Sequence, residues 1–225
     1  MYKWNWDWVI EYKEQLIEAA YVTIKLNIYI ILIGSVIGLL LGLLKRVNFF
    51  PIRIITIGFI DIIRTLPALV LLIWFYFCVP IFFQISIDAF TTTVIVLSLN
   101  LAVFIAEIVD AGIESVPELH KDYGELLGFS KRNNLRYIVL PIALRNMTPP
   151  IVGQYINSIK LSVLASFIAV PELLSVTQDI ISQTYRPLEF YTVLAIVFLV
   201  ILLPGTLLSK RYELKAMMKK SNKGY

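Results

Sequence analysis

Two apolar stretches of bilayer-spanning length flank a charged segment that runs from Pro117 to Pro141 and reads P-E-L-H-K-D-Y-G-E-L-L-G-F-S-K-R-N-N-L-R-Y-I-V-L-P. A helix needs about 20 predominantly apolar residues to cross the hydrocarbon core. Inside that core, water cannot satisfy a backbone N–H or C=O, so such stretches are helical. The charged segment is therefore a long loop between two membrane helices, and it carries Lys121, Lys131, Arg132 and Arg136. The chain is 58% hydrophobic, with a mean hydropathy of +0.77, against about 45–50% apolar residues in a soluble domain. The fold class expected is an all-α integral membrane protein with no separate soluble domain.

Five spans are expected, at about residues 19–44, 52–83, 91–113, 147–170 and 188–208. Residues 1–18 form an outer, interfacial segment in which Trp4, Trp6 and Trp8 suit the membrane–water boundary, and residues 210–225 form a basic tail. The first twenty residues show no cleavable signal peptide, since Asp7, Glu11, Glu14 and Glu18 replace the basic leader such a peptide carries. Lys25 and Asn27 interrupt the start of the first span, and Gly34, Gly38 and Gly42 recur on one of its faces. That spacing admits a second helix at close range. Pro67 kinks the second span. In the loop, Pro117 suits the first position of a helix, Gly128 a C-terminal stop with positive φ, and Ser130 the cap of a second helix that Pro141 ends. Pro149 and Pro150 break the start of the fourth span, and an outer loop extends to about Pro187. Lys45, Arg46 and Arg53, the loop cations with Arg145, and the lysine-rich tail lie on one side. The later outer loops offer only Arg186. The excess of Lys and Arg marks the cytoplasmic side, so the N-terminus is expected outside and the C-terminus inside.

Several motifs resemble those of one family. Gly128, nine residues, then Ile138-x-Leu140-Pro141 resembles the cytoplasmic loop signature of ABC-importer permease subunits, E-A-A-x-x-x-G-x9-I-x-L-P. Asp122, Tyr123 and Gly124 stand at its E-A-A positions. Leu97–Pro117 resembles the polar-amino-acid subfamily's L-S-L-N-x-x-A-Y-x-A-E-I-x-R-G-G-I-x-S-V-P, with Asn100, Glu107, Gly112 and Pro117 in place and Asp110 where a basic residue is usual. Arg64-Thr65-Leu66-Pro67 is similar to R-G-T-P, Ile159-Lys160-Leu161-Ser162 to L-K-D-[TS], and Val170-Pro171-Glu172-Leu173 to V-P-E-L. The resemblance covers about residues 19–209. It implies a type I ABC importer permease fold with a cytoplasmic coupling-helix loop. It also implies a multi-pass place in the bacterial plasma membrane, a second permease copy or homologue, ABC ATPase subunits on the loop, and an extracellular solute-binding protein. ATP and Mg²⁺ would sit on the ATPase, with no cofactor on this chain.

The residues themselves weigh against other classes. No Gly-x4-Gly-Lys-[Ser/Thr] phosphate loop is present. One cysteine, Cys78, and one histidine, His120, exclude an intrachain disulfide and a multi-histidine metal site. The net charge of +4 follows loop topology and gives no reason to expect nucleic acid; lipid is the expected surroundings. An enzyme would need a reacting group with its activator. Glu107 and Asp110 share a helix face, but a helix end facing water accounts for them, and no catalytic residue is assigned. A free-standing channel or carrier would have few spans and shows no inverted repeat.

Charges inside spans each need a partner or a wet cavity. Arg64 can reach Asp61 one turn away or Glu107 across helices. Lys160 and Asn100 each lie about nine residues, or ~14 Å, from the outer ends of their spans. The substrate pathway is therefore expected to include Asn100, Glu107, Lys160, Ser162 and Arg64. Lys160 and Asn100 are expected to face the cavity, where a substrate carboxylate would supply the charge Lys160 lacks; the alternative is that Lys160 pairs with Glu107 or with a partner chain for structural reasons. Leu161, in place of the family's acid, disfavours a cationic amino acid where both halves of the pore are this chain, and says little where a homologous partner supplies the acid.

Overall fold

The computed structural model describes residues 2–119 and 128–221, and their regular elements are all helical. They are α1 (Asp7–Glu11), α2 (Lys13–Leu44), α3 (Phe50–Thr65), α4 (Ala68–Phe83), α5 (Ala89–Glu114), α6 (Lys131–Asn134), α7 (Leu140–Leu161), α8 (Leu173–Thr184) and α9 (Pro187–Ser221). A π-helical turn, Leu135–Val139, joins α6 to α7, and 3₁₀ turns, Ser162–Ile168, follow α7. Four stretches are long and apolar enough to cross a membrane, and the bent pair α3–α4 makes a fifth if it counts as one span.

The second span departs from expectation. It is not one kinked helix but two, bent by 101°. Pro67 has an extended backbone, with ψ at 133°. Its ring also pushes the preceding residue out of the helical region, so the helix stops rather than kinks. Pro141 was expected to end the loop's second helix, and Pro149 and Pro150 to break the start of the fourth span, yet the helix passes through all three. Just before Pro141 the Leu140 N–H bonds the Leu135 carbonyl, five residues back. That widened turn is where a helix accommodates a distortion without breaking. The outer loop contains a helix, α8, that was not expected. The Glu172 carboxylate caps it by accepting the Leu174 N–H at 2.9 Å and the Ser175 N–H at 2.8 Å. The tail is a continuation of α9 through Ser221.

The chain divides into two compact units, and several helices contribute to both. The first comprises Met1–Ile33, Leu66–Ser98 and Ile156–Gly205. Leu16, Ile180 and Phe190 form a core there, with Trp8 and Tyr12 packed on it. The N-terminal stretch is tied down beyond what an interfacial anchor requires. Buried Glu189 accepts the Tyr2 hydroxyl and the Asn5 N–H, and Arg186 donates to the Lys3 carbonyl at 3.0 Å. Trp4 and Trp6 stack on each other and remain exposed, as a membrane-boundary pair would.

The second unit comprises Gly34–Thr65, Leu99–Tyr155 and Thr206–Tyr225. Here α5 supplies buried Leu101, Ala102, Ile105, Ala106 and Val109. The glycine face of α2 packs on α5. A Cβ at Gly38 would lie 2.6 Å from Ile105 Cβ and 2.7 Å from the Ala102 carbonyl, and one at Gly42 would lie 2.8 Å from Val109 Cβ. Neither helix could approach so closely with a larger residue.

Candidate translocation and coupling sites

In the second unit, the end of α2 delivers two bases to α5. Lys45 Nζ lies 2.8 Å from Glu107 Oε1 and 3.0 Å from Asp110 Oδ2, and Arg46 Nη1 lies 2.6 Å from Asp110 Oδ1. Arg64, at the end of α3, reaches both of its expected partners: Asp61 at 3.1 Å and Glu107 at 3.6 Å. Three acids thus meet three bases. Burial works against the Lys45 charge, but hydrogen bonds to Glu107 and Asp110 outweigh it and hold its pKa above the ordinary lysine value. Arg53 and Glu114 join Lys45, Arg46 and Asp110 around a recess of about 260 Å³. Asp110 therefore has a reason to be acidic in this chain, because Lys45 and Arg46 face it.

The first unit presents a different arrangement. Lys160 ends α7, is exposed, and has no carboxylate partner among the described residues. Ser162, two residues on, is buried; its hydroxyl donates to the Ile159 carbonyl at 2.8 Å and accepts Asn27 Nδ2 at 3.0 Å. Asn100 belongs to the second unit and is only 5% exposed, so it lines no open surface of this chain. Glu107 and Arg64 come together in the ion-pair cluster of the second unit, and Lys160 and Ser162 belong to the first. Sequence reasoning overlooked Lys45 and Arg46 as partners because their position after the first span reads as ordinary inner-loop charge.

The charged loop exposes its described part. Gly128 has φ +72° and open space where a Cβ would be. The expected positive φ is present, a conformation that suits glycine. Ser130 Oγ accepts the Asn133 N–H at 3.3 Å and so caps α6 as expected. Phe129, Leu135, Tyr137 and Leu140 are all exposed large apolar residues, with Ile138 partly buried beside them. Arg136 lies over the Tyr137 ring, 5.7 Å from its centre. An exposed apolar face edged by arginine in an otherwise charged loop is the composition of a protein contact. Asp122, Tyr123 and Gly124 lie outside the described residues.

Glu172, in V-P-E-L, and Glu189 were not singled out from the sequence. Both are fully buried acids at helix starts. Burial of the Glu172 carboxyl pushes its pKa up to about 7, against two backbone N–H bonds that favour the charged form.

Residues 34–215 match the family model described as "Binding-protein-dependent transport system inner membrane component". The chain belongs to this family. It is 35% identical over 199 residues to the glutamine transport system permease protein GlnP of Escherichia coli strain K12, covering 88% of this chain and 91% of that protein. Similarity extends to two proteins of Bacillus subtilis strain 168. One is the arginine transport system permease protein ArtQ, at 28% over 89% of this chain and 91% of the relative. The other is the L-cystine transport system permease protein TcyB, at 33% over 71% and 68%. A chain from a crystal structure of an amino acid ABC transporter with histidines superposes with a TM-score of 0.87 at 29% identity, covering 95% of this chain and all of that one. A chain of the MetNI methionine ABC transporter shares the fold, with a TM-score of 0.72 at 18% identity, covering 88% and 94%. This permease therefore has the type I ABC importer fold and is a multi-pass membrane protein. As a transport permease subunit, it has membrane translocation rather than catalysis as its family role.

Proposed function

We propose that this permease imports a neutral polar amino acid, delivered by an extracellular solute-binding protein, and that Lys160 receives the substrate carboxylate. Lys160 carries this reading: it is an exposed cation in the fourth span, without a carboxylate partner among the described residues. A charge at such a position costs at least about 2.5–3.5 kcal/mol unless something compensates it. An amino acid always brings a carboxylate. The names of the glutamine, arginine and cystine relatives favour the same substrate class, and Leu161 favours the neutral members of it. Ser162 lies beside Lys160 in sequence. Arg64 and Glu107, held by the ion-pair cluster, have a structural role in this reading.

Two permease chains, identical or homologous, form the pathway. ATPase subunits holding ATP and Mg²⁺ dock on the 117–141 loop, and their closure moves that loop to switch access. The N-terminus lies outside and the C-terminus inside. Gly128→Asp tests the coupling, because it adds both a strained backbone and a carboxylate to the docking face. It should cut uptake at least about tenfold, a loss of ~1.4 kcal/mol of coupling, while the ATPase still hydrolyses ATP. Normal uptake by Gly128→Asp would remove the loop from the coupling path. For orientation, Cys78→Ser supplies the background. Cysteines placed at the exposed positions Ser86 and Ser182 should label from outside intact cells, whereas one at exposed Asn133 should not. Labelling of position 133 by an impermeant reagent would reverse the topology.

A further inference from the structure

Thr23 and Asn27 lie one turn apart on α2 and are 0% and 6% exposed. Their side chains reach across to a segment far along the sequence. Asn27 Nδ2 donates to Ser162 Oγ at 3.0 Å and to the Thr23 carbonyl at 2.8 Å. Thr23 Oγ1 accepts the Leu173 N–H at 3.0 Å and donates to the Ala19 carbonyl at 2.9 Å. Ser162 and Leu173 bracket the stretch where the chain leaves α7. There it passes through the 3₁₀ turns, a left-handed Ala169 with φ 59°, and an extended Glu172. The 3₁₀ run is seven residues long, beyond the usual limit of about 3–4, and its internal hydrogen bonds are poorer than those of an α-helix. Its geometry depends on what holds its two ends, and α2 holds both.

The second observation concerns cost. Asn27 Oδ1 is buried and has no hydrogen-bond partner among the described residues. An orphaned acceptor is unfavourable, and an apolar side chain of similar volume would avoid it. Residues that break a local rule in this way concentrate at functional positions. Asn27 stands opposite Ser162, and Lys160 precedes Ser162 by two residues.

We infer that Thr23 and Asn27 form a two-point clamp that places Lys160 for the substrate, and that Asn27 is a positioning residue for substrate affinity. The inference rests on the reading of Lys160 as the carboxylate-receiving group. The complex of permease, ATPase and binding protein in proteoliposomes tests it, with radiolabelled L-glutamine as the probe. Asn27→Leu should raise KM about tenfold and change the maximal rate less than about twofold, the pattern of lost binding rather than lost turnover. Its melting temperature should stay level or rise, because the orphaned oxygen is gone. Ser162→Ala should give a similar KM, and the double variant no further increase, since both remove one link. An unchanged KM in Asn27→Leu, or a lowered melting temperature with normal KM, overturns the clamp. Should Asn27→Leu fail to assemble, Ser162→Ala decides: Asn27 then keeps its bond to Thr23, and a normal KM overturns the inference. Normal uptake by Lys160→Met, or no L-glutamine uptake by the wild-type complex, sinks the parent reading and this inference with it. Impaired Lys160→Met beside a normal KM in both other variants sinks the clamp alone.

Discussion

Around the end of α2 in the second unit, three acids and three bases meet at separations between 2.6 and 3.6 Å. In the first unit, Lys160 stands exposed with no carboxylate partner among the described residues. Both sets of charges belong to segments surrounded by apolar sequence, and both face the same electrostatic cost. The cluster meets that cost within the chain, so its charges need nothing from a ligand. Lys160 leaves the cost open, which makes it a place where a ligand's charge has something to gain. A span charge with its counter-ion reads as architecture, and one without reads as recognition.

The comparison can be broken from the architectural side. Lys45 is 16% exposed and serves two acids. Lys45→Met takes one partner from each of Glu107 and Asp110, which keep Arg64 and Arg46, and should destabilise the permease by about 1–2 kcal/mol, between the scales of an exposed and a buried pair. Unfolding in detergent titrations would measure it. Removing Glu107 as well should recover part of that loss. The more exposed Arg64, at 43%, should cost under about 1 kcal/mol when changed to alanine. If Lys45→Met instead left stability alone and abolished uptake, the cluster would have to be counted as part of the pathway.

Glu172 sharpens the comparison, as a buried acid with backbone N–H partners and no base among the described residues. Its folded pKa of about 7 lies above the ordinary value of 4.5. Below 4.5 it is protonated whether folded or not. As pH rises towards 7, the unfolded chain ionises freely while the folded one resists. Stability therefore falls across that window and levels off above it, by on the order of 3 kcal/mol. The melting temperature should decline over this range in the wild type and stay flat in Glu172→Gln. Equal slopes for the two proteins would assign the titration elsewhere.

Much of the fold was legible because lipid imposes so few choices. Apolar length located the spans, and the spacing of Gly38 and Gly42 marked the face that α5 covers. The break at Pro67 was legible as a disturbance but not as a 101° bend, because packing decides the angle. Pro141, Pro149 and Pro150 misled in the opposite direction: a π-helical turn precedes Pro141, and the helix runs on through all three. The helix α8 had a readable signal in Glu172, a cap residue ahead of Leu173, Val176, Thr177 and Ile180, but V-P-E-L drew attention as a motif instead. At the site, Lys160 was legible as a charge in an apolar run. The bonds from Asn27 to Ser162 and from Leu173 to Thr23 were not, because residues more than a hundred positions apart meet only in the folded chain.

The contrast between paired and unpaired charge rests most directly on Lys160→Met, measured as ATP-driven uptake in proteoliposomes alongside the melting temperature of the purified complex. The account predicts uptake at least about tenfold lower, the factor that ~1.4 kcal/mol of lost substrate interaction represents, with an unchanged melting temperature. Normal uptake, or a complex that no longer assembles, would contradict it.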